Sequence, residues 1–303
     1  MKLCRKADFC IRKGVCMMKR TDLALEIQES ISESREVHGV VLEESENKKK
    51  TVKRTNLEII NEHGSRIMGR QQGIYVTLEM QKDGEADLEK EIERQLLRLV
   101  GKNKSALIVG LGNREITPDA LGPWVVDRVV VTRHMHREFG KISVWENVEA
   151  IAPGVMGQTG MEVQEILQGI IERTKPQVVI VVDALAARSI KRIGCTVQIT
   201  NTGIHPGAGV GNNRKELSEK TLGVPVIAMG VPTVVDAETI VEDYMEAGMM
   251  QMGVSEKEGR NFMRQAKNES VKGMFMTGRD VDEQVRKMSK ILSNAMNHFH
   301  GIC

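Results

Sequence analysis

The chain has 303 residues, 41% hydrophobic and 28% charged, which excludes a disordered chain and allows one large or two small packed domains. Its net charge is +2 with both signs interleaved, so no global field draws it to nucleic acid or anionic lipid. Aromatic residues make up only 3%, which argues against base-stacking platforms, and no apolar run approaches the roughly 20 residues that span a bilayer.

Residues 1–20 are basic and irregular, with no apolar stretch of the kind that forms a signal peptide. Cys4, Cys10 and Cys16 recur every six residues, which is not a C-x2-C zinc spacing. With Cys195 and Cys303 the count is five, an odd number, so reduced thiols in a cytoplasmic compartment are expected. Met17 and Met18 offer a later start codon than Met1. Leu23, Ile27 and Ile31 fall at helical spacing within Asp22–Ser34. A short strand is expected at Val40–Glu43, a polar loop or hairpin tip over Glu43–Lys53, and further strands at Leu57–Ile60 and Gly73–Glu79. These suggest a small antiparallel β subregion near the N-terminus, at about residues 37–80.

From Leu88 the pattern changes. Leu88–Val100 is an amphipathic helix, Ala106–Gly110 a short apolar strand, and Asp119–Glu138 is helical in spacing. Gln177–Val182 is rich in β-branched residues, as strands buried on both faces are. Val197–Thr200 and Val226–Met229 are shorter runs of the same kind, and Ala237–Ala247, Glu256–Gln265 and Arg279–Asn297 read as helices. Strands separated by helices predict an α/β fold: a mostly parallel sheet with helices on both faces.

In open α/β sheets, sites form beyond the carboxyl ends of strands. Three such ends carry chemistry. Ala106–Gly110 runs into Leu-Gly-Asn113 and on to Asp119; Val178–Val182 runs into Asp183; Val197–Gly203 runs into His205 and Gly209. Nucleotide binding is the first reading to test. Gly110-x-Gly112 and Gly209-x-Gly211 have Glu115 and Arg214 where a third glycine would stand, and no phosphate-binding G-x4-G-K-[ST] loop exists. Tight turns explain these glycines without a nucleotide.

The second reading is a carboxylate pair. Asp119 follows Pro118 near a helix start, and Asp183 closes the most apolar strand, where an unpaired charge is costly to bury. Two adjacent carboxyls do not both ionise easily, so one keeps a proton and polarises a carbonyl while the other activates water. The plainer alternative is that both are helix caps. His205 suits a metal ligand, a proton shuttle or a turn hydrogen bond.

The runs Gly110–Pro123, Ala152–Met161, Asp183–Ala187 and Thr200–Asn213, with Arg20-Thr-Asp-Leu-Ala-Leu-Glu26, resemble the signature segments of the spore germination protease family. The resemblance extends over residues 20 to 300 and implies an atypical aspartic endopeptidase. It is built on a phosphorylase/hydrolase-like α/β fold shared with hydrogenase-maturation endopeptidases. Asp119 and Asp183 take the places of that family's two essential aspartates. The family's substrates are the small acid-soluble proteins that coat spore DNA. The family further implies a homotetramer in the spore core, with no membrane, direct nucleic acid or organic cofactor.

The resemblance also implies a zymogen that cleaves itself. Substrates are cut after an acidic residue and before a large apolar residue and Ala, and Thr21-Asp22-Leu23-Ala24-Leu25-Glu26 has that pattern. Cleavage is expected between Asp22 and Leu23, which makes residues 1–22 a propeptide and 23–303 a single peptidase domain. The hydrogenase-maturation enzymes bind metal through acidic residues and a His, so a divalent metal held by Asp119, Asp183 and His205 is the alternative. A non-enzymatic binding module on the same scaffold is a third reading.

Overall fold

The structure, a computed structural model, describes residues 21–31, 37–101, 105–140, 146–209, 214–254, 258–259, 262 and 271–302. The expected helix at Glu256–Gln265 lies almost wholly outside these residues, as do Cys4, Cys10, Cys16 and Cys303.

The Val178–Ala187 segment organises everything else. Val178–Val182 have no polar side chain, and every residue is buried, as a strand covered on both faces requires. We label the strands β1 (Val40–Glu46), β2 (Val52–Ile59), β3 (Gly73–Met80), β4 (Ala106–Gly110), β5 (Val148–Ile151), β6 (Val178–Ala187), β7 (Thr196–Thr200), β8 (Val226–Asp236) and β9 (Phe275–Met276). They form one sheet in the order β1-β2-β3-β7-β8-β6-β4-β5, with β9 paired to β8. The pairs β5·β4, β4·β6 and β6·β8 are parallel. β7 pairs antiparallel with β8, and β3, β2 and β1 continue antiparallel from it. The N-terminal antiparallel strands are therefore continuous with the α/β sheet, joined to it through β7.

Helices cover both faces, because alternate residues of each buried strand point to opposite sides. The helices are α1 (Ala24–Ile31), α2 (Glu62–Met68), α3 (Glu85–Val100), α4 (Leu121–Val126), α5 (Arg133–Phe139), α6 (Met156–Thr159), α7 (Val163–Thr174), α8 (Glu219–Leu222), α9 (Ala237–Gln251) and α10 (Val281–Phe299). Ile108, Ile180, Val182 and Met229 pack with Leu88, Ile92 and Leu96 of α3, Leu121 of α4 and Leu292 of α10. Leu107, Val109, Val179 and Val181 pack on the other side with Leu167 of α7 and Leu222 of α8. On that second side, α1 sets Ala24 and Ile27 against Leu57, Ile59 and Tyr75.

Three sequence expectations change in detail. The charged run after Val40 is mostly strand: β1 reaches Glu46 and β2 starts at Val52. The turn is only residues 47–51, where the Asn47 side chain accepts from the amides of Thr51 and Val52. An edge strand needs only main-chain pairing, and charge on it discourages further strands. The helical stretch Asp119–Glu138 divides into α4 and α5. Between them the β-branched run Val129–Val131 disfavours helix, and the Thr132 amide donates to Val148 O at 3.0 Å. Finally, β6 and β8 run past their apolar cores, to Ala187 and Asp236, with a register shift at Leu185/Ala186.

Candidate active site

β4 ends at Gly110, but its ladder with β6 goes one step further: the Leu111 amide donates to Val182 O at 2.8 Å. A β-carbon on Gly110 would lie 2.1 Å from Gly122 O. That glycine lets the start of α4 press against the strand end, so packing accounts for it. The chain between returns through a 3-10 turn at Thr117–Asp119, with Pro118 early in it. The Asn113 amide donates to Asp119 Oδ2 at 2.7 Å. Asn113 Oδ1 accepts from the Glu115 amide at 3.0 Å and from Gln158 Nε2 at 2.9 Å. The Ala152–Met161 segment thus braces the loop that holds Asp119.

Asp183 lies inside β6, not at its end, and so it is no cap of a following turn. It pairs with Gly230 of β8 and is 6% exposed. Its Oδ1 accepts from the Ala184 amide at 3.0 Å. Burial pushes its carboxyl well above the usual carboxylate range, and the charges of Asp119 and then Asp22 push the same way. Burial also raises Asp119, opposed by the Asn113 amide. The charge of Asp119 therefore acts on Asp183, so that once one proton has left the pair the remaining one is hard to remove from the more buried member. Such a pair can share one proton and one charge.

The third carboxyl was not foreseen as part of this cluster. Asp22 precedes α1 and lies against the free end of β6. Its amide donates to Ala186 O at 2.9 Å, and its Oδ2 accepts from the Ala186 amide at 2.9 Å. Burial raises the Asp22 carboxyl, while the Ala186 amide, Arg70 and the Gly209 amide oppose the shift. A β-carbon on Gly209 would lie 2.2 Å from Asp22 Oδ2, so that glycine admits the carboxylate. Leu23 is fully buried beside Leu185, Ala187 and Val235.

Two further residues escaped the sequence reading. Gln198 Nε2 donates to Asp22 O at 3.1 Å, and Gln198 Oε1 accepts from the Ala24 amide at 2.7 Å. Arg70 donates to Thr21 O at 3.0 Å. A cavity of about 100 Å³ opens beside Asp22, lined by Arg70, Tyr75, Gln198, Thr202 and His205 among others. The readable signal for Gln198 is its place in Thr-Val-Gln-Ile-Thr: an amide on the buried face of a strand whose other face carries Val197 and Ile199.

His205 is half-exposed, and its Nε2 lies 3.7 Å from Glu216 Oε2. Among the described residues no group of three or more His, Cys, Asp or Glu is arranged to hold a metal ion. His205 with Asp119 and Asp183 does not make a ligand set here. Cys195 donates to Lys191 O at 3.0 Å, and burial holds its thiol above the ordinary range, the opposite of an activated nucleophile. Among the described residues no helix is long and apolar enough to cross a membrane.

A family model described as germination protease matches residues 18–274. The germination protease of Bacillus cytotoxicus is 47% identical over 261 residues, covering 79% of this chain and 69% of that protein. That of Bacillus mycoides is 48% identical over 258 residues, with the same coverage. Among solved structures, a [NiFe] hydrogenase maturation protease HycI from Thermococcus kodakarensis aligns with 68% of this chain and 99% of its own. Its identity is 17% and its TM-score 0.35, a likeness too slight to carry any part of the assignment. The match over most of the chain and the identity to these relatives establish that the chain belongs to the germination protease family and is a peptidase.

Proposed function

We propose that Asp119 and Asp183 are the catalytic pair of this spore germination endopeptidase. One carboxylate takes a proton from water as the water adds to a peptide carbonyl, and the protonated partner polarises that carbonyl. The observation that supports this most is the placement of Asp183. A carboxyl in the middle of a strand almost wholly buried is held above its ordinary range by burial and by the charge of Asp119, and perturbed acids of this kind mark reactive sites.

The substrates on this reading are small acid-soluble spore proteins, whose degradation the enzyme initiates in the spore core as a homotetramer. The enzyme is made as a precursor that cuts its own Asp22–Leu23 bond. What supports self-processing is that Thr21–Glu26, which has the substrate pattern, is already seated on β6 next to Asp183. Incubating the processed protein with a small acid-soluble spore protein and mapping the fragments by mass spectrometry tests the substrate assignment. Cuts after an acidic residue and before a large apolar residue are expected; an uncut substrate would refute it.

A further inference from the structure

Gln198, Gly230 and Asp183 stand opposite one another across β7, β8 and β6. Directly paired residues share a face of a sheet, so Gln198 and Asp183 project to the same side, two strand spacings or about 10 Å apart. Between them Gly230 has no side chain. A β-carbon there would lie 2.5 Å from Leu185 Cγ, so the glycine lets Leu185 lie across the gap. Leu23 packs on Leu185, with Ala187 and Val235 beside it. Asp22 crosses this surface with both its amide and its carboxylate bound to Ala186.

Gln198 is buried and spends both ends of its amide on this crossing strand. Oε1 accepts from the Ala24 amide, and Nε2 donates to the Asp22 carbonyl oxygen. Capping α1 explains only the first of these bonds, since Ala24 opens the helix. The second falls on the carbonyl of the bond that the zymogen is proposed to cut.

We propose that Gln198 is the main-chain clamp of the active site, binding the carbonyl of the residue before the cut bond and the amide two residues after it, in the precursor and in substrates alike. The inference rests on the assignment of Asp22–Leu23 as the processing bond. Water adds to the Asp22 carbonyl carbon and gives its protons to the carboxylate pair and then to the departing nitrogen. The C–N bond to Leu23 breaks, leaving a carboxylate on residue 22 and an amine on residue 23. The carbonyl oxygen gains negative charge as the tetrahedral centre forms, and the Nε2–H bond to it strengthens at that moment. The apolar bed of Leu185, Ala187 and Val235 takes the large residue after the cut. The small Ala24 side chain, fully buried, fits the requirement for Ala next to it.

Two variants separate the clamp from a merely structural role. Gln198→Glu keeps an acceptor for the Ala24 amide but offers a carboxylate to the carbonyl. Gln198→Leu removes both bonds. The assay is cleavage of an acetylated peptide Arg-Thr-Asp-Leu-Ala-Leu-Glu-Ile by the processed enzyme, with kcat and KM measured separately and thermal unfolding followed in parallel. Gln198→Glu is expected to lower kcat by about 10²–10³-fold, the cost of removing an oxyanion donor, with KM changed far less and the folded protein retained. Gln198→Leu is expected to lower kcat and raise KM. A parent enzyme that cuts the peptide at Asp-Leu while both variants retain kcat within about twofold, a free-energy change of about 0.4 kcal/mol, would overturn the clamp and leave the processing assignment standing. A parent enzyme that leaves Asp-Leu intact would overturn the processing assignment, and the clamp with it.

Discussion

Gly112, at φ +109°, approaches Asp119 so closely that a β-carbon on it would come within 1.9 Å of the Asp119 carbonyl oxygen. Both the left-handed conformation and the contact demand glycine. Gly112→Ala must therefore displace the loop that aims Asp119. A shift of about 1 Å costs on the order of 10²-fold in rate, so kcat should fall by about that much while the sheet core persists. Steady-state proteolysis beside a thermal melt checks this; a variant with parental kcat would show that the approach does not position the carboxyl.

On the proposed mechanism Asp183 links activity to stability. Its folded carboxyl is raised well above its ordinary value, so the folded state binds a proton more tightly than the unfolded chain. The stability from that bound proton is fully present below the ordinary carboxylate range and is lost as pH rises through the raised value. Asp183→Asn removes this loss. The variant should melt higher than the parent at neutral pH, and the difference should shrink as pH is lowered toward 4. Melting curves across that range decide it, and a difference independent of pH would contradict the assignment of the proton.

His300 behaves in the opposite sense. It is buried beside Phe299, and burial lowers it to about 4. The unfolded chain takes up a proton near pH 6.5 that the folded chain refuses. Stability is therefore full above that range and falls as pH drops from about 6.5 toward 4, by roughly 3 kcal/mol in all. His300→Leu should flatten that acid slope in urea titrations; an unchanged slope would place the titration elsewhere.

The seat of α1 depends on a buried acid. Glu26 accepts from the amides of Arg188 at 2.6 Å and Ser189 at 3.0 Å, and pairs with Arg192 at 3.2 Å. Arg192 also pairs with Glu29 and Glu79. Arg192→Met leaves the buried Glu26 carboxyl without its cation, and breaking a buried pair in this way costs about 3–5 kcal/mol. The urea midpoint should fall accordingly, and self-processing should slow as the Asp22–Leu23 bond loses its fixed position. A loss of unfolding free energy below about 1 kcal/mol would class the network with exposed ion pairs.

His205 and a chelator separate the two chemistries raised by the sequence. Since His205 does not gather with the aspartates, His205→Ala should retain proteolysis, and a chelator should leave the rate unchanged. Loss of activity restored by a divalent ion would favour the metal-assisted reading.

What the sequence revealed, and what it hid, follow from the same forces. Val178–Val182 announced a buried strand because hydrophobic burial leaves no other home for five consecutive apolar side chains. The stretch Arg279–Asn297 likewise reads as a helix, and the structure has α10 there over Val281–Phe299. The continuation of β6 through Asp183 was hidden, because burying a carboxylate runs against the rule that locates strands. Violations of that kind are expected at functional or strained positions. β1 was cut short because an edge strand of Glu and Ser owes its form to pairing with β2 rather than to its own side chains. Asp22 is legible in the sequence as a cut site and Gln198 as an amide inside a buried strand, but not the two as partners. Their meeting depends on a contact across 176 positions of sequence, and no local pattern encodes it.

The most direct test is the rate at which Asp119→Asn and Asp183→Asn cut a small acid-soluble spore protein, with each variant shown by circular dichroism to be folded. The account predicts that either change lowers the rate by about 10³–10⁴-fold, as loss of a catalytic acid or base does. A folded variant of either kind that cuts at the parental rate would contradict it.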